Sequence, residues 1–328
     1  MSRPMNQQLD CSAYTVGWLC VLPTEVTASR MFLDEEYAPP PRQRRDETGY
    51  IVGRMGNHYV VIAFPLVPST GSVAIAHTVV DLIRTFNNIR FGLMIGIGGG
   101  APSATPSTNP LNDIHLGDVV VSQPNQAHGK IYISGLLQYD RGRWNGDGKF
   151  EIRSYLARPP RILLGAISLL QSDHQLGHGR MMDYLHLAAT RSNKVGPQGF
   201  SFPGRGLDRL YKPSHPHTGR EGSDCSACGT TALIRRHERR SNSPVVHYGL
   251  IASGNAVMRS ATYRDSLRDT WGVKCFEMEA AGLGNQLPCL VIRGISDYSD
   301  HHKNDHWQSY AAFVAAAYAK DLLRVVQP

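Results

Sequence analysis

The stretch "CFEMEAAGL", residues 275–283, sets Glu277 and Glu279 one methionine apart among small and apolar neighbours. "VKCFEM" reads as a strand, and "EAAGLGNQL" reads as a helix start. Residues two apart share a face on a strand, whereas on a helix they lie roughly 200° apart. A switch at Met278 therefore turns Glu279 into a crevice near a helix N-terminus, where a carboxylate is favoured. Glu277 is expected to face a backbone or arginine partner.

The same alternation extends outward. "YTVGWLCVLP" (14–23), "HYVVIAFPL" (58–66), "RFGLMIGIGGG" (90–100), "DIHLGDVVVS" (113–122), "SGLLQYD" (134–140), "VVHYGLIASGN" (245–255) and "PCLVIRGISDYSD" (288–300) read as strands, the third running into a glycine turn. Helical spacing follows the first strand, with Thr24 as N-cap, and recurs at 71–86, from 160, at 259–271 and at 307–326. Strands alternating with helices predict an α/β fold: three layers, α/β/α, with a central parallel or mixed sheet.

The chain has 328 residues, 41% of them apolar, enough for a sizeable core. One domain is expected over 14–328, after a flexible N-terminus over 1–13. Residues 174–243 break the pattern, being rich in His, Arg, Gly, Pro and Ser, and are expected to form a partly irregular or disordered insertion. That segment holds 11 Lys/Arg against 5 Asp/Glu, +6 of the chain's net +7. The basicity is therefore local, and no nucleic-acid partner is expected. No apolar run is long enough for a membrane span, and the N-terminus lacks the order of a secretory signal. Four of the six cysteines stand singly, which fits a reducing, cytoplasmic setting without disulfides.

In open α/β sheets, sites form beyond the carboxyl ends of strands. There the sequence delivers Glu25, then Gly98, Gly99 and Gly100, then Ser253 and Asn255, then Glu277, Met278 and Glu279, and finally Ser296 and Asp297.

"VGWLCVLPTEVTASRMFL", "IGIGGGAP…DIHLGDVVVS", "GLIASGNAVM", "CFEMEAAGL" and "VIRGISDYSD", in this order, resemble the nucleoside phosphorylase and nucleosidase superfamily. The superfamily includes purine nucleoside phosphorylase, uridine phosphorylase and methylthioadenosine/S-adenosylhomocysteine nucleosidase. The nearest resemblance is to nucleosidase-like domains of fungal proteins. It covers about 14–140 and 245–326, and it implies a central mixed, partly barrel-like sheet. It further implies that Glu279 holds the ribose hydroxyls and Met278 lies under the sugar. Asp297 would protonate the purine and Glu25 would activate water. Val257 stands where an aromatic often stacks on the base. A homodimer needing no cofactor is the implied assembly.

Phosphate, a dianion, requires cationic donors around it. Where phosphorylases keep arginine and serine, this sequence has Met94, Ile97 and the acidic "PTEV". A glutamate repels phosphate but suits water, which needs a proton acceptor. The expected activity is hydrolysis of adenosine-like purine nucleosides. Phosphorolysis would show itself by phosphate dependence, and a low-turnover nucleotide sensor by binding without product.

"HPHTGREGSDCSAC" (215–228) offers His215, His217, Cys225 and Cys228 as zinc ligands, in reverse order to the common finger. A solvated loop without metal is the expected reading. "RRHERR" (235–240) reads as an exposed basic edge.

Overall fold

Strands β1 (Val16–Leu19), β2 (Glu35–Tyr37), β3 (Thr48–Met55), β4 (His58–Pro65), β5 (Phe91–Gly100), β6 (Val119–Ser122), β7 (Leu136–Gln138), β8 (Val246–Ser253), β9 (Val273–Glu277) and β10 (Cys289–Asp297) form one ten-stranded sheet. The computed structural model describes residues 8–66, 70–127, 131–153, 156–192 and 199–328. Residues 1–7 and 193–198, parts of the expected N-terminal and insertion segments, lie outside that range.

The sheet order is β9-β8-β6-β10-β5-β1-β4-β3-β2, with β7 beside β8. β10, β5, β1 and β4 run parallel, β6 is antiparallel to β10, and β2 and β3 complete an antiparallel meander. β9 also pairs with β5, at Phe276↔Gly99 and Cys275↔Gly100. That pairing closes β5, β10, β6, β8 and β9 into a ring, so the mixed sheet is partly barrel-like, as expected. Gly98–Gly100 correct the expected turn: they stay within β5 because β10 and β9 pair with them there.

Among the described residues, six helices flank the sheet: α1 (Pro23–Met31), α2 (Ser72–Thr85), α3 (Arg161–Gln175), α4 (Met181–Ser192), α5 (Ala261–Trp271) and α6 (Gln308–Val325). α6 is buried from Tyr310 to Leu323, since β5 and β10 lie against it and α1, α3 and α4 also pack on it. A helix apolar nearly all round belongs in such an interior. Among the described residues, no helix is long and apolar enough to cross a membrane.

Local chemistry overrides the sequence reading at three points. Pro23 takes the first helical turn, so the N-cap of α1 is Leu22 and not Thr24, and the Glu25 side chain accepts from the Leu22 N–H. The helix expected after Glu279 is a single 3₁₀ turn, Ala280–Leu283, ended by Gly284 at φ 54°. The strand β3, unread in the sequence, pairs with β4 along its whole length.

The basic insertion carries α4, and from residue 199 it runs irregularly back to the sheet. "RRHERR" is not a plain exposed edge. Arg235 and Arg240 are exposed, but the side chains of Arg236 and Arg239 are 7% and 3% exposed. Arg239 bonds both carboxylate oxygens of Asp118 at 2.7 Å, and Arg236 bonds Asp208 at 2.9 Å. Burial alone would raise the Asp118 pKa, but the bonds from Arg239 and His247 bring it down to about 2. These arginines compensate buried acids and anchor the insertion on the core.

Candidate active site

The carboxyl ends of β5, β9 and β10 meet the start of α1 around a cavity of about 170 Å³. Glu25, Gly98, Gly99, Val257, Glu277, Met278, Glu279, Ser296 and Asp297 line it together. Ser253 and Asn255 do not. Ser253 is fully buried, with its Oγ accepting from the Ala281 N–H, and Asn255 takes hydrogen bonds from the backbone and side chain of Ser72. Each holds a turn in place beside the cavity.

Glu25 is buried, and three backbone N–H groups point at it. Val21 and Leu22 donate to Oε2, and Ile97 donates to Oε1, each at 2.9 Å. An ionised carboxylate has about four acceptor sites, so one remains. Gly96 makes this approach possible, because a methyl group there would overlap both Glu25 Oε1 and Arg293 Nη1.

Arg293 is the residue that sequence reasoning missed. It is 1% exposed, inside the otherwise apolar run of β10. Its Nη2 bonds Glu277 Oε2 and lies 3.2 Å from Glu279 Oε2, and its Nη1 stands 3.9 Å from Glu25 Oε1. A buried guanidinium requires such partners. "VIRGISD" carried the signal, since an arginine in a buried strand demands acids nearby. Glu277 has the backbone and arginine partners expected of it: Arg293, and the N–H groups of Glu279 and Ala280. It shapes the turn that presents Glu279.

Glu279 Oε2 accepts from Arg293 and Met278, while Oε1 has no hydrogen-bond partner among the described residues. Burial pushes its pKa up to about 7; Arg293 opposes the rise, and the charges of Glu277 and Glu25 add to it.

At the other end of the cavity, Asp297 Oδ1 accepts from the Ser299 N–H at 2.9 Å. Its Oδ2 accepts from Ser296 Oγ at 3.0 Å and from Lys303 Nζ. Lys303, also unforeseen, is the one Lys or Arg among the described residues lining the cavity. Ser299 adopts φ 54°, and its buried Oγ has no partner among the described residues. A non-glycine residue held there is costly, and such strain gathers at functional sites.

The expectation of a site without cations is thus corrected. Arg293 lies beneath the acids and Lys303 lies within the cavity. Both are engaged by carboxylates.

Residues 196–327 match the family model of the phosphorylase superfamily. Over those residues the chain is similar to that superfamily. A nucleotide-binding leucine-rich repeat (NLR)-like protein of Hyaloscypha variabilis is 41% identical over 318 residues, 96% of this chain and 30% of that protein. ATP nucleosidase Cap17 of Escherichia coli is 34% identical over 86 residues, 24% of this chain and 17% of that protein. The chain thus spans less than a third of either relative's length. Among solved structures, futalosine hydrolase of Helicobacter pylori superposes with a TM-score of 0.56 at 16% identity, covering 95% of this chain and 98% of its own. The 5′-methylthioadenosine/S-adenosylhomocysteine nucleosidase of Neisseria meningitidis superposes with a TM-score of 0.55 at 17% identity, covering 94% and 98%. The chain shares its fold with these nucleosidases.

Proposed function

We propose that this chain hydrolyses the N-glycosidic bond of purine ribonucleosides, releasing free base and ribose. One observation carries the reading: Glu25 faces the cavity with one acceptor site open, and the nearby cations are already bound to acids. Phosphate would meet three glutamates there. Water meets a proton acceptor.

Cleavage builds positive charge on the ribose and negative charge on the departing purine, through an oxocarbenium-like transition state. Glu279, when ionised, accepts from the ribose hydroxyls through Oε1 and stabilises the cationic ring. Asp297 faces the imidazole ring of the purine. Lys303 supplies the proton that Asp297 relays to the ring nitrogen as the bond breaks. The Ser299 hydroxyl is free to bond the base. Glu25 orients the water and takes its proton as oxygen attacks the anomeric carbon.

The Escherichia coli relative is named for ATP, which supports including 5′-phosphorylated substrates. The test is base release from a panel of purine nucleosides and nucleotides, comparing the unaltered chain with Glu25→Gln and Asp297→Asn. Release that both substitutions abolish supports the reading. Release that neither affects refutes it.

A further inference from the structure

The inserted segment brings three metal-ligating side chains together outside the nucleoside cavity. His217 Nδ1 lies 3.2 Å from Cys228 Sγ, and one ligand atom from each of His217, Cys225 and Cys228 lies within 4.8 Å of the others. Cys225 and Cys228 sit on one 3₁₀ turn and are 8% and 4% exposed. In a tetrahedral zinc site the ligand atoms are spaced by roughly 3.5–3.8 Å, given Zn–S near 2.3 Å and Zn–N near 2.0–2.1 Å. The trio needs little adjustment to reach that spacing.

The surrounding hydrogen bonds fix the orientation of these atoms. His217 Nε2 lies 3.2 Å from the Arg220 carbonyl, which can only accept. Nε2 therefore carries the proton, leaving the lone pair on Nδ1, the atom facing Cys228. A metal-bound histidine holds its tautomer in the same way. The Thr218 N–H donates to Cys228 Sγ at 3.3 Å, and Asn304 Nδ2 donates to Cys225 Sγ at 3.9 Å. The same sulfurs also donate to carbonyls, Cys225 Sγ to that of His302 at 3.7 Å and Cys228 Sγ to that of Thr218 at 3.8 Å, and a bound metal would replace those protons. Two thiolates would neutralise one divalent cation, so the filled site would carry no net charge into the interior.

We propose that His217, Cys225 and Cys228 bind a zinc ion that clamps the insertion to the loop following β10. That loop supplies His302, whose buried Nε2 has no partner among the described residues and whose ring stands edge-on to His217 at 5.5 Å. It is the candidate fourth ligand. His215, one of the four ligands the sequence offers, is not in the trio: its Nε2 bonds the Cys228 carbonyl at 2.9 Å. Soft sulfur with imidazole selects zinc over magnesium or calcium. A surface cleft lined by His215, His217, Glu221 and Arg259 gives access from solvent. The clamp matters for the nucleoside cavity because the same loop carries Lys303 to Asp297.

The test is metal analysis of the 328-residue chain purified from zinc-supplemented medium, without chelator. About one zinc per chain is expected, falling to below about a tenth in Cys228→Ser and His217→Ala. Cobalt added to the chelator-stripped chain should give the intense bands of tetrahedral thiolate coordination, a readout available even if the variants fold poorly. A chain without zinc and without those bands overturns the proposal. So does zinc that persists in the variants, or a disulfide joining Cys225 to Cys228.

Discussion

The backbone N–H of Ile97 donates to Oε1 of Glu25 at 2.9 Å, joining the first turn of α1 to a glycine-rich strand 72 residues later. This bond fixes the carboxylate at the cavity wall and defines its open acceptor site. Glu25→Gln keeps the shape and removes the proton acceptor. Hydrolysis should fall by about 10²–10⁴-fold with little change in nucleoside affinity. Gly96→Ala should reproduce much of that loss by displacing Glu25. Steady-state kinetics with calorimetric binding checks both.

In the proposed mechanism Lys303 acts through Asp297 on the leaving base. Lys303→Met should slow purine release by about 10²-fold or more. A riboside with a nitrophenolate leaving group needs no protonation, and the variant should cleave it at nearly the unaltered rate. Equal losses on the two substrates would assign Lys303 to folding alone.

The raised pKa of Glu279, about 7 against an ordinary 4.5, fixes the direction of the pH dependence. In the proposed mechanism the ionised form stabilises the cationic ribose, so kcat/KM should rise with pH through about 7 and level off above it. Glu279→Gln should lose most of the activity and that limb of the profile. Stability runs the other way. Between 4.5 and 7 the folded state holds a proton that the unfolded state has released, so this group's contribution falls as pH rises across that window. Denaturant titrations of both forms at pH 5 and 8 check the sign.

Arg239→Met leaves Asp118 buried and without its guanidinium partner. Breaking a buried pair from one side costs about 3–5 kcal/mol, so the midpoint of thermal unfolding should fall clearly. Arg240→Ala, at an exposed position beside it, should change stability by no more than about 0.5 kcal/mol. Calorimetry of the two variants tests whether the insertion belongs to the folded core.

Strand and helix order was legible because apolar periodicity reports which face is buried, and the cavity-facing ends of β5, β9 and β10 followed from that order. Lys303 and Arg239 were not legible. Their roles depend on partners that tertiary packing brings from 6 and 121 residues away. Ser253 and Asn255, found in turns, show the same limit, since polar residues at a strand end suit a turn as well as a pocket. Arg293 could have been read, as a charge within a buried strand. Gly98–Gly100 carry no sign in sequence of whether a partner strand will pair with them.

The identity of the sugar product tests the central claim most directly. Each active purine nucleoside is incubated with the chain in phosphate-free and phosphate-containing buffer, and the sugar is identified by mass spectrometry. Free ribose at the same rate in both buffers is the predicted result. Ribose 1-phosphate, formed only when phosphate is present, would contradict it.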